Sequence, residues 1–125
     1  MVVEEMTRPL YLDWPDKRLN PNARIHWLAK AQIVADARNA AFALARNVGF
    51  TIPPGPLQLN LIFYPPPDKR RRDMDNVLAS CKAALDGIFR ACDVDDANVC
   101  RIVMEWGGAD KAGTGCIYLT VEPLK

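Results

Sequence analysis

In the run LQLNLIFY (57–64), Leu57, Leu59, Leu61 and Phe63 alternate with their neighbours. That period of two predicts a strand with one buried face. Further on, Val77, Leu78, Cys81, Leu85, Ile88, Phe89 and Cys92 recur with the rhythm of an amphipathic helix and predict one continuous helix through this stretch. Two more alternating runs, CRIVMEW (100–106) and CIYLTVE (116–122), flank the turn-rich GGADKAGTG and predict a hairpin. Upstream, the chain from Arg24 or Ile25 to Val48 is Ala-rich and free of Gly and Pro, with Gly49 placed to cap its end, so it predicts the first helix. PLYLDW (9–14) predicts a short first strand, and Pro15, Asn20, Pro21 and Asn22 turn the next segment into a loop. The expected order is strand, helix, strand, helix, strand, strand. Helices that come singly between strands can cover one face of a mixed sheet. The expected fold is therefore α+β, with two helices packed on a small mixed β-sheet.

With 125 residues, half of them hydrophobic and a quarter charged, residues 1–125 are expected to form a single domain around one core. The formal net charge is only +1, so any strongly basic surface must be local. No apolar run approaches the roughly 20 residues needed to span a bilayer. The start MVVEEMTRPL carries Glu4 and Glu5 and does not read as a signal peptide. A cytoplasmic protein, without a membrane partner, is the expectation. Cys81, Cys92, Cys100 and Cys116 form no Cys-x-x-Cys step. They are read as reduced, mostly buried thiols, and a zinc site with His26 as the weaker alternative.

The stretch KRRRDMDN (69–76) changes this picture, because it sets Lys69, Arg70, Arg71 and Arg72 against Asp73 and Asp75. Asp or Asn at the first turn of a helix is ordinarily an N-cap, favoured by the helix dipole. A cap needs one residue, and Asp73, Asp75 and Asn76 supply three. In an extended approach to the helix, Asp73 and Asp75 would point the same way and share a hard cation such as Mg²⁺, which takes oxygen ligands. Lys82, seven residues beyond Asp75, would share its outward face and reach a phosphate near the ion; the alternative is an i, i+4 pair with Asp86. The acids of DVDD (93–96) are either a solvated turn or a third ligand source, if an antiparallel return brings them to the sheet end that carries Asp73. The arginines are either surface ion pairs or phosphate ligands. Together the two blocks suit a protein that holds a nucleic-acid backbone and cuts it with a metal. Lys17, Arg18, Arg24 and Lys30 either add phosphate contacts, if the first loop lies nearby, or form a solvated basic loop. His26 and Trp27 either stack on a base or anchor the helix end against the sheet, while Trp14 and Trp106 are assigned to packing. The restriction-type pattern of an acid followed two residues later by Lys is absent at Glu105, which precedes Trp106 and Gly107.

RRRDMDN (70–76), KAALDG (82–87), VDDANV (94–99) and LNPNARIHW (19–27) resemble the RusA-type Holliday-junction resolvases, a family that includes phage-encoded endodeoxyribonucleases. The resemblance implies Asp73, Asp75 and Asp96 as catalytic, metal-binding acids. It implies Arg72 as the basic residue before the first acid and Lys82 as a further catalytic residue, both also DNA contacts, beside Lys69, Arg70, Arg71, Arg24 and Lys30, which charge alone marks as DNA contacts. Lys82 stands where the helix lysine of the family is displaced by one turn, since Ala79 occupies the prototype position. The implied protein is a homodimer using Mg²⁺, or Mn²⁺ in its place, to nick a four-way junction symmetrically during DNA recombination and repair in a bacterial or phage-infected cell. A non-catalytic DNA- or RNA-binding module built on the cluster at 69–72 is the alternative. Everything in the nuclease reading requires Asp96 to come within reach of an ion held by Asp73 and Asp75.

Overall fold

The structure, a computed structural model, describes residues 8–68, 70–109 and 113–124. Its elements are β1 (Leu10–Asp13), a 3-10 turn (Lys17–Leu19), α1 (Trp27–Val48), β2 (Leu57–Tyr64), α2 (Met74–Ser80), α3 (Lys82–Ala91), a second 3-10 turn (Asp96–Asn98), β3 (Val99–Trp106) and β4 (Cys116–Pro123). The fold is α+β, with a mixed four-stranded sheet ordered β1-β4-β2-β3 and its helices on one face. The alternation in β2 does what its period demands. Leu57, Leu59, Leu61 and Phe63 are buried, and in β4 Ile117, Leu119 and Val121 complete the same layer. Ile88 and Phe89 of α3 and Val77 of α2 close over them, and Phe50 and Ile52 join the core after α1. Each such side chain contributes about 1.5–3 kcal/mol on leaving water.

Three expectations are corrected. The runs at 100–106 and 116–122 are strands but not a hairpin, because β2 lies between them, antiparallel to β4 and parallel to β3. Burial explains the order. The inner face of β4 is wholly apolar and 0% exposed, a requirement of a central strand, whereas β3 leaves Ile102 43% and Trp106 42% exposed, which only an edge tolerates. Second, the predicted single helix is divided at Cys81, which ends α2 and precedes α3. The Ser80 hydroxyl donates to the Asn76 carbonyl (2.9 Å), a back-bond that bends helices, and Cys81 N–H is shared between the Leu78 and Val77 carbonyls. Third, α1 begins at Trp27, because His26 is extended and its Nδ1 accepts the Leu28 N–H as an N-cap. His26 and Trp27 stack on each other at 5.7 Å, and Trp27 is 71% exposed, so the pair does not anchor α1 on the sheet. Gly49 ends α1 in the left-handed region, as its position predicts.

No helix among the described residues is long and apolar enough to cross a membrane. No disulfide joins the four cysteines: Cys81 is buried, Cys92 and Cys116 half-buried, and Cys100 exposed. Among the described residues no group of three or more His, Cys, Asp and Glu side chains is placed to hold a metal ion, the His26 zinc alternative included.

Candidate nucleic-acid and metal site

After β2, Pro65 to Pro67 carry the chain away from the sheet, and the basic segment is then fastened by one acid. Asp68 accepts the backbone N–H of Arg70 (3.0 Å) and both ends of the Arg72 guanidinium (2.9 and 2.8 Å). The same guanidinium lies over the ring of Trp14, 5.3 Å from its centroid. A two-pronged pair to a carboxylate and a stacked indole use both faces of what arginine offers. The side chain of Arg72 is only 18% exposed. A phosphate would compete with Asp68 for its two end nitrogens, so within this chain Arg72 fastens the loop while still lining the cavity. Arg70 and Arg71 are exposed and carry no side-chain partner among the described residues. Lys69 lies outside those residues.

These arginines line an open polar cavity of about 360 Å³ whose other wall is the loop after β1. Asp16 and Lys17 line it from the first loop, and Arg70, Arg71, Arg72 and Asp73 from the basic segment. The first loop therefore does lie beside the basic segment. It contributes Lys17, while Arg18 is taken up by Asp16 through a 2.6 Å ion pair and a backbone bond. Hydrogen bonds from the Arg18 side chain and backbone hold the Asp16 carboxyl down at about 2.

Asp73 occupies the N-cap position of α2, with extended backbone, yet its side chain makes no cap hydrogen bond. Asp75 is inside the first turn, so the extended approach that would align the two carboxylates ends at Asp73. Both residues are exposed, and neither side chain has a hydrogen bond or ion pair to any described residue. The acids of 93–96 sort themselves by role. Asp93 takes a left-handed turn conformation at φ 55°, Asp95 caps the second 3-10 turn by accepting the Ala97 N–H (2.9 Å), and Asp96 is left exposed and unpaired among the described residues.

The topology separates Asp96 from Asp73 within one chain. Val99, three residues after Asp96, pairs with Leu57 at the start of β2. Asp73 belongs to the opposite end: Arg72 stacks on Trp14, whose neighbour Asp13 pairs with Cys116, which in turn pairs with Tyr64 at the end of β2. At about 3.3 Å per strand residue the two ends are roughly 20–25 Å apart. The parallel β2–β3 pairing, in place of the antiparallel return that was considered, is the cause.

Lys82 is also elsewhere. It borders a second cavity of about 370 Å³ with Lys30, Arg38 and Asp86. The expected alternative, a Lys82–Asp86 pair, is not formed, because Asp86 is bound by Arg90 (3.3 Å) and Arg38 (3.6 Å). Lys30 and Lys82 thus share one groove, which meets the Asp73 cavity at Ser80. Arg24 is exposed and borders neither cavity. Asp68 and the stacking role of Trp14 were missed from the sequence, although the Asp68–Arg72 spacing of four is a legible ion-pair signal.

No family model matches the chain. It is similar to a protein of Xylella fastidiosa (strain Temecula1) described as "Uncharacterized protein", 43% identical over 91 residues. The match takes in 70% of this chain and 59% of the relative, so the chain spans less than two thirds of that protein's length.

Proposed function

We propose that this chain is a metal-dependent endonuclease acting on branched DNA, of the RusA-like kind, in the cytoplasm of a bacterial or phage-infected cell. The observation that carries the reading is Asp73: an exposed carboxylate at a helix N-cap that caps nothing, lining one cavity with Arg70, Arg71 and Lys17, with Asp75 two residues on in the first turn of α2. Two unpaired oxygen donors fit in kind a Mg²⁺ or Mn²⁺ ion, which typically takes one or two carboxylates together with substrate phosphate. When bound, such an ion polarises a phosphate and lowers the pKa of a nearby water. The chain's own part is to hold the backbone through Arg70, Arg71 and Lys17, with Arg72 locking the loop that presents them. The groove with Lys30 and Lys82 continues the positive surface.

Asp96 joins Asp73 and Asp75 only if a second copy supplies it, since one chain keeps them at opposite ends. The homodimer is then a requirement of the site, and the approximate two-fold symmetry of a four-way junction matches it. The test is cleavage of a labelled four-way junction with Mg²⁺. Paired symmetric nicks that disappear in Asp75→Asn support the proposal. Mixing Asp73→Asn with Asp96→Asn should restore part of the activity, because some mixed dimers hold one intact site; absence of rescue would refute the shared site.

The separation of Asp96 from Asp73 also favours a second reading, a nucleic-acid-binding module without catalysis. Junction binding that weakens in Arg70→Ala and Arg71→Ala, with no cutting under Mg²⁺ or Mn²⁺, would establish it.

A further inference from the structure

α1 is longer than the surface it packs on. It meets α3 at Arg38, whose side chain binds Asp86, and further on Ala41 and Ala45 are buried. At about 100° per residue, Val34, Arg38, Ala41 and Ala45 all fall within roughly 40° of Trp27 around the helix. Trp27 thus continues the packing face of α1, but it stands about 16 Å before Arg38 along the axis, at about 1.5 Å per residue. There it is 71% exposed. The ring is nevertheless held in place. His26 Nδ1 accepts the Leu28 N–H (3.2 Å), which fixes the imidazole, and Trp27 stacks on that ring at 5.7 Å with 27° between the planes. The pair presents an oriented aromatic surface to solvent.

The charge around it has one sign. Residues 17–35 contain Lys17, Arg18, Arg24 and Lys30 and no acid. A helix start favours an acid in its first turn, and α1 has none. Arg18 is committed to Asp16, whereas Arg24 and Lys30 form no ion pair among the described residues. From Trp27 the same face leads through Lys30 into the groove that Lys82 also lines, and this groove meets the cavity of Arg70 and Arg71 at Ser80. A second copy docking here on itself would set cations against cations. A lipid surface is flat and would not follow a groove. A single nucleic-acid strand suits both features, because its phosphates track a basic groove while its bases stack on exposed rings.

We propose that Trp27, held by His26, is a stacking platform for an unpaired base of single-stranded DNA, with the adjoining phosphates carried by Lys30 and Lys82. This rests on the nucleic-acid reading of the neighbouring cavity and names the form of DNA taken. In a continuous duplex each base face is covered by its neighbours, so an exposed ring selects unpaired segments. It does so with little regard to sequence, since every base has a π-face.

Fluorescence of Trp27 tests the platform without metal or cleavage. In W14F/W106F the remaining indole is that of Trp27, and a short oligothymidylate is expected to quench it saturably at low salt. Trp27→Ala should weaken binding of the oligothymidylate roughly tenfold or more and leave binding of continuous duplex unchanged. Trp27→Phe, which keeps a ring, should fall in between. Lys30→Ala should lower the log–log salt slope of oligothymidylate binding by about 0.7, the loss of one phosphate contact on a single strand. If W14F/W106F does not fold, the Trp27 indole N–H resonance of the wild type, assigned by its loss in Trp27→Phe, reports the same contact. An unquenched Trp27, or a Trp27→Ala chain that binds the oligothymidylate as tightly as wild type, overturns the platform. Quenching by phosphatidylglycerol vesicles and not by DNA overturns it in favour of a lipid surface. Those outcomes leave the nuclease reading standing, because junction binding and cleavage are measured separately. A chain that binds DNA of no form removes that reading and the platform together.

Discussion

Gly87 of α3 lies against the backbone of Arg38 in α1 so closely that a Cβ on it would run into the Arg38 carbonyl, with the Phe42 nitrogen 3.1 Å away. Glycine here permits the α1–α3 contact that holds the helices over the sheet. Elsewhere in a helix, Gly→Ala gains up to about 1 kcal/mol. Gly87→Ala is expected to reverse that sign and destabilise the protein by about 1–3 kcal/mol, because the helices must separate. Urea unfolding measures it, and a variant as stable as wild type would show that α1 yields freely.

Asp73→Ser separates capping from chemistry. Serine is as good an N-cap as aspartate, whereas it loses the charge that attracts a divalent ion. The expected outcome is a stability within about 0.5 kcal/mol of wild type together with loss of junction cleavage. Retained cleavage would reduce Asp73 to a helix-start residue.

Acid should loosen the basic loop. Hydrogen bonds from Arg72, then from the Arg70 backbone, hold the Asp68 carboxyl below its usual value. A carboxyl whose folded pKa is depressed stabilises the fold above its unfolded pKa, and that contribution is lost as pH falls through the folded value. The Asp68–Arg72 clasp is therefore intact at neutral pH and opens only below the ordinary aspartate range. Asp68→Asn should mimic the opening at pH 7 and shift the indole N–H resonance of Trp14, which Arg72 covers. The neighbouring loop offers a numerical check, since the Asp16 carboxyl should titrate by NMR near 2.

The four thiols should react in order of access. Burial pushes the Cys81 thiol up to about 12 and raises that of Cys92, whose Sγ also donates to the Phe50 carbonyl (3.2 Å). Only the thiolate is nucleophilic. Iodoacetamide at mildly alkaline pH should modify exposed Cys100 first and leave Cys81 unmodified until the protein unfolds, as followed by mass spectrometry. Early labelling of Cys81 would mean that α2 and α3 open readily at their junction.

Local pattern made much of the fold legible. The alternation of Leu57 to Phe63 and the Gly49 stop each matched an element, and the stripe from Val77 to Cys92 fell on helical residues of α2 and α3, because each depends on neighbours a few residues away. The division at Cys81 escaped the pattern, since a back-bonding Ser80 leaves hydrophobic spacing unchanged. In the candidate site, the basic block, the two acids of α2 and Asp96 could be picked out by residue type. Their relation could not, because it depends on which strands are neighbours.

By itself the sequence determined where the helices and strands lie and which face of each strand is apolar, since those periods are properties of the local backbone. Only the tertiary structure decided that β2 inserts between β3 and β4, that Asp96 is carried to the end of the sheet away from Asp73, and that Asp68 claims Arg72 while Arg70 and Arg71 stay exposed. The physical reason is that alternation specifies a face but not a neighbour. Strand order follows from how fully each apolar face must leave water, a competition among distant segments that is resolved when they pack together.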